Sequence, residues 1–234
     1  SWQSILDDWK RVFGAAGVGG GDRILFAFSF GPFLGFWSAF ESALQMGSMV
    51  IPAGGMTSGA RLRMMLENQA TVLCCTPTYA IRLVRVAAEE GIDLSNSRIR
   101  RIVVAGEPGG SVPATRRWVE SRWPGASLFD HHGMTEVGPV SYQNPNHPGT
   151  LHVMEESFIA EVIDPQTNHA PGPGQVGELV LSTLNRTGTP LLRYRTGDLV
   201  RLSTLDPKQL GCDQLALDGG VLGRADDMVL VRGV

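Results

Sequence analysis

Cysteine is scarce in this chain of 234 residues, and the little there is excludes a disulfide framework. There are three, two of them adjacent in an apolar run (Cys74, Cys75), a usage that suits a reducing compartment and makes a cytoplasmic location the expectation. An excess of one charge is also lacking. Twenty Lys and Arg face 23 Asp and Glu, a formal net charge of -3 spread along the chain. That leaves no basic stripe for nucleic acid and no polybasic tract for a membrane surface, so neither is an expected partner. Long uncharged apolar runs are missing as well: the most apolar stretch, 24–50, is broken by Ser29, Gly31, Pro32, Glu41 and Gln45. No transmembrane helix is expected. Neither a starting Met nor a signal-peptide pattern is present, and the final VLVRGV reads as an apolar strand followed by a turn glycine. The expectation is a piece cut from a longer chain. No internal repeat or low-complexity tract occurs.

What is present is a substantial apolar fraction, 43%, enough to build a core. Its patterning is regular. Trp2, Ile5, Leu6, Trp9, Val12 and Phe13 fall near one helical face, and GVGGGD ends that helix. An apolar strand at 24–28, a helix at 33–46 and the short strand in SMVIPAG form a βαβ unit. The alternation goes on with a helix at 58–68, the strand TVLCC, a helix at 78–90, the strand RIVVAG and a helix at 113–123. Strands separated by helices imply a parallel sheet covered on both faces. Beyond Gly149 the pattern changes to FIAEVIDP, GELVLSTL, PLLRYRTGDLVRL and VLGRADDMVLVRG, with turn signals at Asp164-Pro165 and the GPG run at 172–174. This predicts a smaller antiparallel sheet or barrel. The expected organisation is an α/β subdomain at 1–149 and an antiparallel β subdomain at 150–234.

Ligands of open parallel sheets settle at the carboxyl ends of strands, where two loops stand out. AGEPGG at 105–110 follows RIVV. Its Gly106, Gly109 and Gly110 permit close backbone approach to a flat or phosphorylated ligand, although an ordinary strand-to-helix turn would look the same. HHGMTE at 131–136 follows SLFD and joins Gly133, a hydroxyl (Thr135) and a carboxylate (Glu136). Thr135 can bond a phosphate, and Glu136 is either a hard oxygen ligand for Mg²⁺ or a solvated loop carboxylate. Further on, Asp198 follows a turn glycine beside Arg193, Arg195 and Arg201. It can accept two hydrogen bonds from a ribose diol, or pair with an arginine. Arg224 precedes Asp226-Asp227, where a guanidinium can meet ribose or phosphate oxygens or sit in a charged turn.

The ordered set AGEPGG, HHGMTE, RYRTGDL and GRADDMVLVRGV resembles the adenylate-forming superfamily, and within it the phenylacetate-CoA ligase family. FSFGPF, VIPAGG and TPTY look like earlier segments of the same family, so the resemblance covers nearly the whole chain. It implies an internal part of the large N-terminal domain. The implied chemistry is attack of a carboxylate on the α-phosphate of ATP with loss of pyrophosphate, then displacement of AMP by the thiol of CoA. ATP, Mg²⁺ and CoA are the implied cofactors, and a small carboxylic acid, an aryl acid by family, is the partner; a homodimer stays open. By the same resemblance, Thr135 meets the phosphate and Glu136 the Mg²⁺. Asp198 holds the ribose, Arg224 the nucleotide, and Asp226 is a hinge. Gly106, Glu107 and Pro108, with the rest of the loop to Gly110, line the adenine and acyl pocket, with Gly133 nearby.

There are departures. The family's tyrosine before the GMTE-like glycine is His132 here, which can stack on adenine but also titrates near neutral pH. Some relatives carry a zinc site; His152 and Cys212 match it, while Asn144 and Leu210 occupy the other positions, and two ligands cannot close a tetrahedral site. The family's phosphate loop would precede Ser1, and its small domain with a catalytic lysine would follow Val234, so the piece alone is not expected to catalyse adenylation. Phe30, Phe33, Phe36 and Tyr79 can form flat walls for an aryl acid or belong to the core. Two other functions stay open: a ligase that loads a carrier-protein thiol, and a non-catalytic adenylate-binding module.

Overall fold

The computed structural model describes residues 1–31 and 33–225. Its first half is built from short apolar strands: β1 (Arg23–Phe26), β2 (Met49–Pro52), β3 (Val72–Cys75), β4 (Arg101–Val104) and β5 (Ser127–Met134). They pair in parallel in the order β2-β1-β3-β4-β5. Successive strand side chains point to opposite faces, and the cores divide accordingly. Ile24 and Phe26 pack with Ile5, Trp9 and Phe13 of α1 (Trp2–Ala15) and with Ala39 and Ala43 of α2 (Leu34–Gln45). Leu25, between them, joins the other face, with Leu62 and Met65 of α3 (Ser58–Glu67), Leu83 of α4 (Pro77–Glu89) and Val119 of α5 (Pro113–Glu120). Cys74 and Cys75 split between the two cores in the same way, and burial pushes both thiols well up. They behave as small apolar residues.

Helix starts follow local chemistry. The Thr76 side chain accepts the Tyr79 N–H, and Pro77 supplies a preset first turn, so α4 begins one residue before the expected start. Thr57 caps α3 in the same manner.

The second half adds β6 (Gly138–Gln143), β7 (Thr150–Val153), β8 (Phe158–Ile163), β9 (Val176–Thr183), β10 (Tyr194–Leu202) and β11 (Ala216–Arg224), with the short helix α6 (Pro207–Leu210) before β11. These strands extend the same sheet antiparallel, in the order β6-β7-β11-β10-β9-β8, for eleven strands among the described residues. An α/β fold with a parallel part followed by an antiparallel part is therefore what the chain forms. The direction reverses at β5–β6, where Met134 faces Gly138. Two expectations are corrected here. HHGMTE is not a free loop: His131 to Met134 belong to β5, and only Thr135, Glu136 and Val137 make the turn. β6 and β7 were not expected, because buried Ser141, Gln143 and His152 interrupt the apolar pattern by which strands are recognised.

α1 fixes this reversal from one side. Trp9 Nε1 donates to Ser38 Oγ at 2.9 Å, and Ser42 Oγ donates to the Leu6 carbonyl at 2.8 Å. The Trp9 ring also meets the His131 ring edge-on, with centroids 4.6 Å apart. His131 is buried, and burial pushes its imidazole down to about 3. The unfolded chain takes up a proton at this residue below its ordinary value of 6.5, whereas the folded chain does so only near 3; stability is lost as pH falls through that window, by up to about 1.4 kcal/mol per unit. His131→Phe should remove this dependence. Urea unfolding between pH 6.5 and 4.5 is expected to show a shallower decline for the variant; parallel declines would mean that His131 protonates as easily folded as unfolded.

Candidate active site

Asp198 is the centre of the site. β10 leaves its regular pairing with β9 between Arg195 and Leu199, and Gly197 takes a left-handed conformation, φ 74°, within that excursion. A Cβ there would also lie 2.7 Å from Arg224 Nη2, so the backbone calls for glycine and any side chain would displace the Arg224 head. Thr196 Oγ1 donates to the Leu179 carbonyl at 2.8 Å and accepts the Asp198 N–H at 3.1 Å. The Asp198 carboxylate then receives Arg224 Nη1 on Oδ1 at 2.9 Å and His132 Nε2 on Oδ2 at 3.1 Å. Burial by itself raises this carboxyl, but the His132 and Arg224 contacts outweigh it and hold the group below its usual range. Facing an ionised carboxylate, His132 Nε2 is the protonated nitrogen; its buried Nδ1 has no hydrogen-bond partner among the described residues. A carboxylate has about four acceptor positions, so two remain for a diol.

Thr135 and Glu136 occupy the tip of the β5–β6 hairpin, both exposed. Gly138, the first residue of β6, leaves the turn with φ 82°, a left-handed conformation that favours glycine. Arg186 Nη1 donates to the Glu136 carbonyl, and the Tyr194 hydroxyl reaches the Glu136 carboxylate at 3.3 Å. Tyr194 and Arg186 were not singled out from the sequence; the neighbouring RYRTGDL motif was the available signal. An exposed carboxylate held this lightly fits Mg²⁺, which keeps several waters and takes one or two protein carboxylates together with substrate phosphates.

The 105–110 loop joins β4 to α5. Gly106 and Gly109 have φ 89° and 145°, and a Cβ on Gly110 would lie 2.3 Å from Asp130 Oδ1. The exposed Pro108 carries the outer side of the loop. Glu107 turns elsewhere: its Oε1 accepts the Thr78 N–H of the first turn of α4 at 2.7 Å, a favourable place for a carboxylate. Asp130, unremarked in the sequence, ties this loop to the sheet by accepting Ser111 Oγ at 2.6 Å.

The remaining sequence candidates separate. Phe28 and Phe36 stack at 3.9 Å, Phe30 packs on Phe28 and Phe33 on Phe36, and Trp37 meets Phe30. Tyr79 stands apart from these rings, with its hydroxyl 3.0 Å from Ser58 Oγ and Arg61 over its ring. His152 and Cys212 do meet, Nδ1 to Sγ at 3.1 Å, with the Asn144 amide on the other ring nitrogen. Among the described residues no group of three or more His, Cys, Asp or Glu is placed to hold a metal ion. Asp226 lies outside the described residues. No described helix is long and apolar enough to cross a membrane.

Residues 3–187 match the family model described as AMP-binding enzyme. The chain belongs to this family. The AMP-binding chain is 31% identical to a phenylacetate-coenzyme A ligase of Pseudomonas putida, over 99% of its own length and 52% of that protein. A phenylacetate-coenzyme A ligase of Thermus thermophilus is 32% identical over 96% of the chain and 50% of the relative. The chain thus spans about half the length of the curated relatives it matches. Among solved structures, a 2-hydroxyisobutyryl-CoA ligase in complex with 2-HIB-AMP and CoA superposes with a TM-score of 0.91 at 28% identity, covering 99% of this chain and 49% of that one.

In this AMP-binding fold Asp130 supplies a test of how the glycine loop is held. Burial raises its carboxyl to about 6, against the opposing effects of Ser111, Arg116 and His132. Since its ordinary value is 3.8, the folded state binds the proton more tightly than the unfolded state, and stability is lost as pH rises between those values and stays lost above 6. Asp130→Asn should raise the thermal midpoint at pH 8 but hardly at pH 4, the difference corresponding to at most about 3 kcal/mol. Equal shifts at both pH values would show that the carboxyl ionises as it does in water.

Proposed function

We propose that this chain forms the nucleotide- and acid-binding part of an ATP-dependent acid-thiol ligase that makes an acyl-CoA through an acyl-adenylate, with an aryl acid as substrate. The observation that carries the reading is the Asp198 carboxylate, kept ionised by Arg224 and His132 while retaining free acceptor positions. Similarity to two named phenylacetate-coenzyme A ligases along nearly the whole chain supports it. The aromatic group of half-buried Phe28 and Phe36 with exposed Phe33 supports an aryl acid, as flat apolar walls suit such a ligand.

In this reading Asp198 accepts both ribose hydroxyls, and Arg224, already bound to Asp198, is positioned against the nucleotide. His132, Gly133 and the backbone of Gly106, Glu107 and Pro108 bound the adenine and acyl pocket. Thr135 bonds a phosphate oxygen from the hairpin tip, and Glu136 holds Mg²⁺, whose charge neutralises the phosphates. The acid's carboxylate oxygen attacks the α-phosphorus as the bond to pyrophosphate breaks; the thiolate of CoA then attacks the acyl carbon and AMP leaves. Positioning and charge neutralisation supply most of the acceleration for such transfers. The division into an α/β part to residue 149 and a β part from 150 belongs to the same proposal, as does a cytoplasmic location.

ATP-pyrophosphate exchange by the intact protein across aryl and alkyl acids tests this. Exchange with aryl acids is expected, and Asp198→Ala should lower kcat/KM for ATP roughly 100-fold, the loss of about two charge-assisted hydrogen bonds. Unchanged kinetics would remove Asp198 from the nucleotide pocket, and no exchange with any aryl acid would sink the substrate assignment. Exchange without CoA thioester would point to a carrier-protein thiol, and nucleotide binding without exchange to a non-catalytic module.

A further inference from the structure

The connection from β9 to β10 meets Glu136 twice. Early in it, Arg186 Nη1 donates to the Glu136 carbonyl. That guanidinium is enclosed: Arg186 lines a small cavity with Ile5 and Asp8 of α1, Val137 of the hairpin turn and Ser157, and its buried Nη2 has no hydrogen-bond partner among the described residues. At the far end, the hydroxyl of Tyr194, the first residue of β10, reaches Glu136 Oε1 at 3.3 Å. One segment thus engages both the backbone and the carboxylate of a single residue.

The aim of Tyr194 is set by the residue before it. Arg193 has φ 48°, a left-handed conformation that a bulky side chain rarely adopts unless its surroundings impose it. Here they do. Its N–H donates to Ser182 Oγ of β9 at 2.8 Å, and its Nε donates to Glu161 Oε2 of β8 at 3.0 Å. Just upstream, the Thr183 N–H donates to the Leu191 carbonyl at 2.9 Å, and the Leu191 N–H donates to Thr183 Oγ1 at 3.0 Å. Two strands therefore hold the strained turn that points the phenol at Glu136. An ionised carboxylate only accepts, so the hydroxyl is the donor. Among the described residues the other oxygen, Oε2, has no hydrogen-bond partner. Mg²⁺ demands a near-ideal octahedral shell and keeps several waters, whereas Ca²⁺ readily takes both oxygens of one carboxylate. Coordination through Oε2 alone leaves the Tyr194 bond intact; chelation by both oxygens breaks it.

We propose that Arg186 and Tyr194 are positioning residues for Glu136, Arg186 fixing the backbone that carries it and Tyr194 holding one carboxylate oxygen, so that the site takes Mg²⁺ through the other oxygen in preference to Ca²⁺. This rests on the reading of Glu136 as the cation ligand and adds to it a choice between divalent cations. Neither residue touches the reacting atoms.

The test is calorimetric binding of ATP to the intact protein, without acid and therefore without turnover, over a series of free Mg²⁺ or Ca²⁺ concentrations. The affinity of each cation for ATP itself cancels when a variant is compared with the wild type. Tyr194→Phe is expected to lower the half-saturating Ca²⁺ concentration relative to that of Mg²⁺ by roughly three- to tenfold, the weight of one hydrogen bond. Arg186→Met should instead raise both half-saturating concentrations by the same factor, since it loosens the backbone and leaves the phenol in place. If Arg186→Met does not fold, Arg186→Gln, which keeps one donor for the Glu136 carbonyl, should show a smaller rise of the same kind. A purely architectural Tyr194 would move both cations alike; an unmoved ratio in Tyr194→Phe, or no rise in a folded Arg186 variant, would overturn the proposal. Glu136→Gln separates it from the reading beneath: if that variant keeps the wild-type cation dependence, Glu136 is not the cation ligand and both fall. If Glu136→Gln loses the dependence while Tyr194→Phe keeps the wild-type ratio, the positioning proposal alone falls.

Discussion

The carboxylate of Asp198, bonded at once to His132 and Arg224, is the interaction on which the rest of the site depends. Those two partners come from β5 and β11, while Asp198 stands on β10. One charge therefore links the last parallel strand to the middle of the antiparallel part. A buried carboxylate left unpaired would be costly, and pairing it on both oxygens removes that cost while fixing where the strands lie. Around it, Glu178 accepts the Gly197 N–H at 3.1 Å and pairs with Arg195. The excursion in β10 is thereby held from the neighbouring strand as well.

Asp130, His131 and His132 show how strand geometry sets chemistry at the reversal of the sheet. They are consecutive on β5, so their side chains alternate between faces. Asp130 faces Ser111 and the glycine loop, His131 lies against Trp9 of α1, and His132 meets Asp198. The same burial that keeps Asp130 partly protonated near neutral pH keeps His131 unprotonated. Adjacent residues thus end with opposite preferences for a proton. His132, nearest the proposed nucleotide pocket, is held by its contact with the Asp198 carboxylate.

Much of this was legible in the sequence. The parallel strands and their helices follow from apolar period and turn chemistry, and the adjacent Cys74 and Cys75 were readable as core. The ordered motifs brought Asp198, Arg224 and His132 forward, and the three meet. What stayed hidden depended on partners distant in the chain. β6 and β7 carry buried polar side chains whose partners lie elsewhere in the chain, such as Gln143, which accepts from Arg116 of α5 at 2.6 Å, and no local pattern announces them. Glu107 looked like a ligand-facing acid within its loop, yet the N-terminus of α4 claims its carboxylate. Tyr79 shares the aromatic character of Phe30 and Phe36, but it lies on the first turn of α4 and packs against Arg61 of α3.

The excursion in β10 also sets a rule of parity. From Arg195 to Leu199 the strand advances four residues while its partner β9 advances two, from Val180 to Glu178. Two residues are thus accommodated beyond the regular ladder, and an even number leaves the inward face of the strand unchanged on both sides. Loss or gain of one residue there would turn half of β10 over, sending Val200 out of the core. A single-residue change of length beside this segment is therefore disfavoured even where substitutions are not.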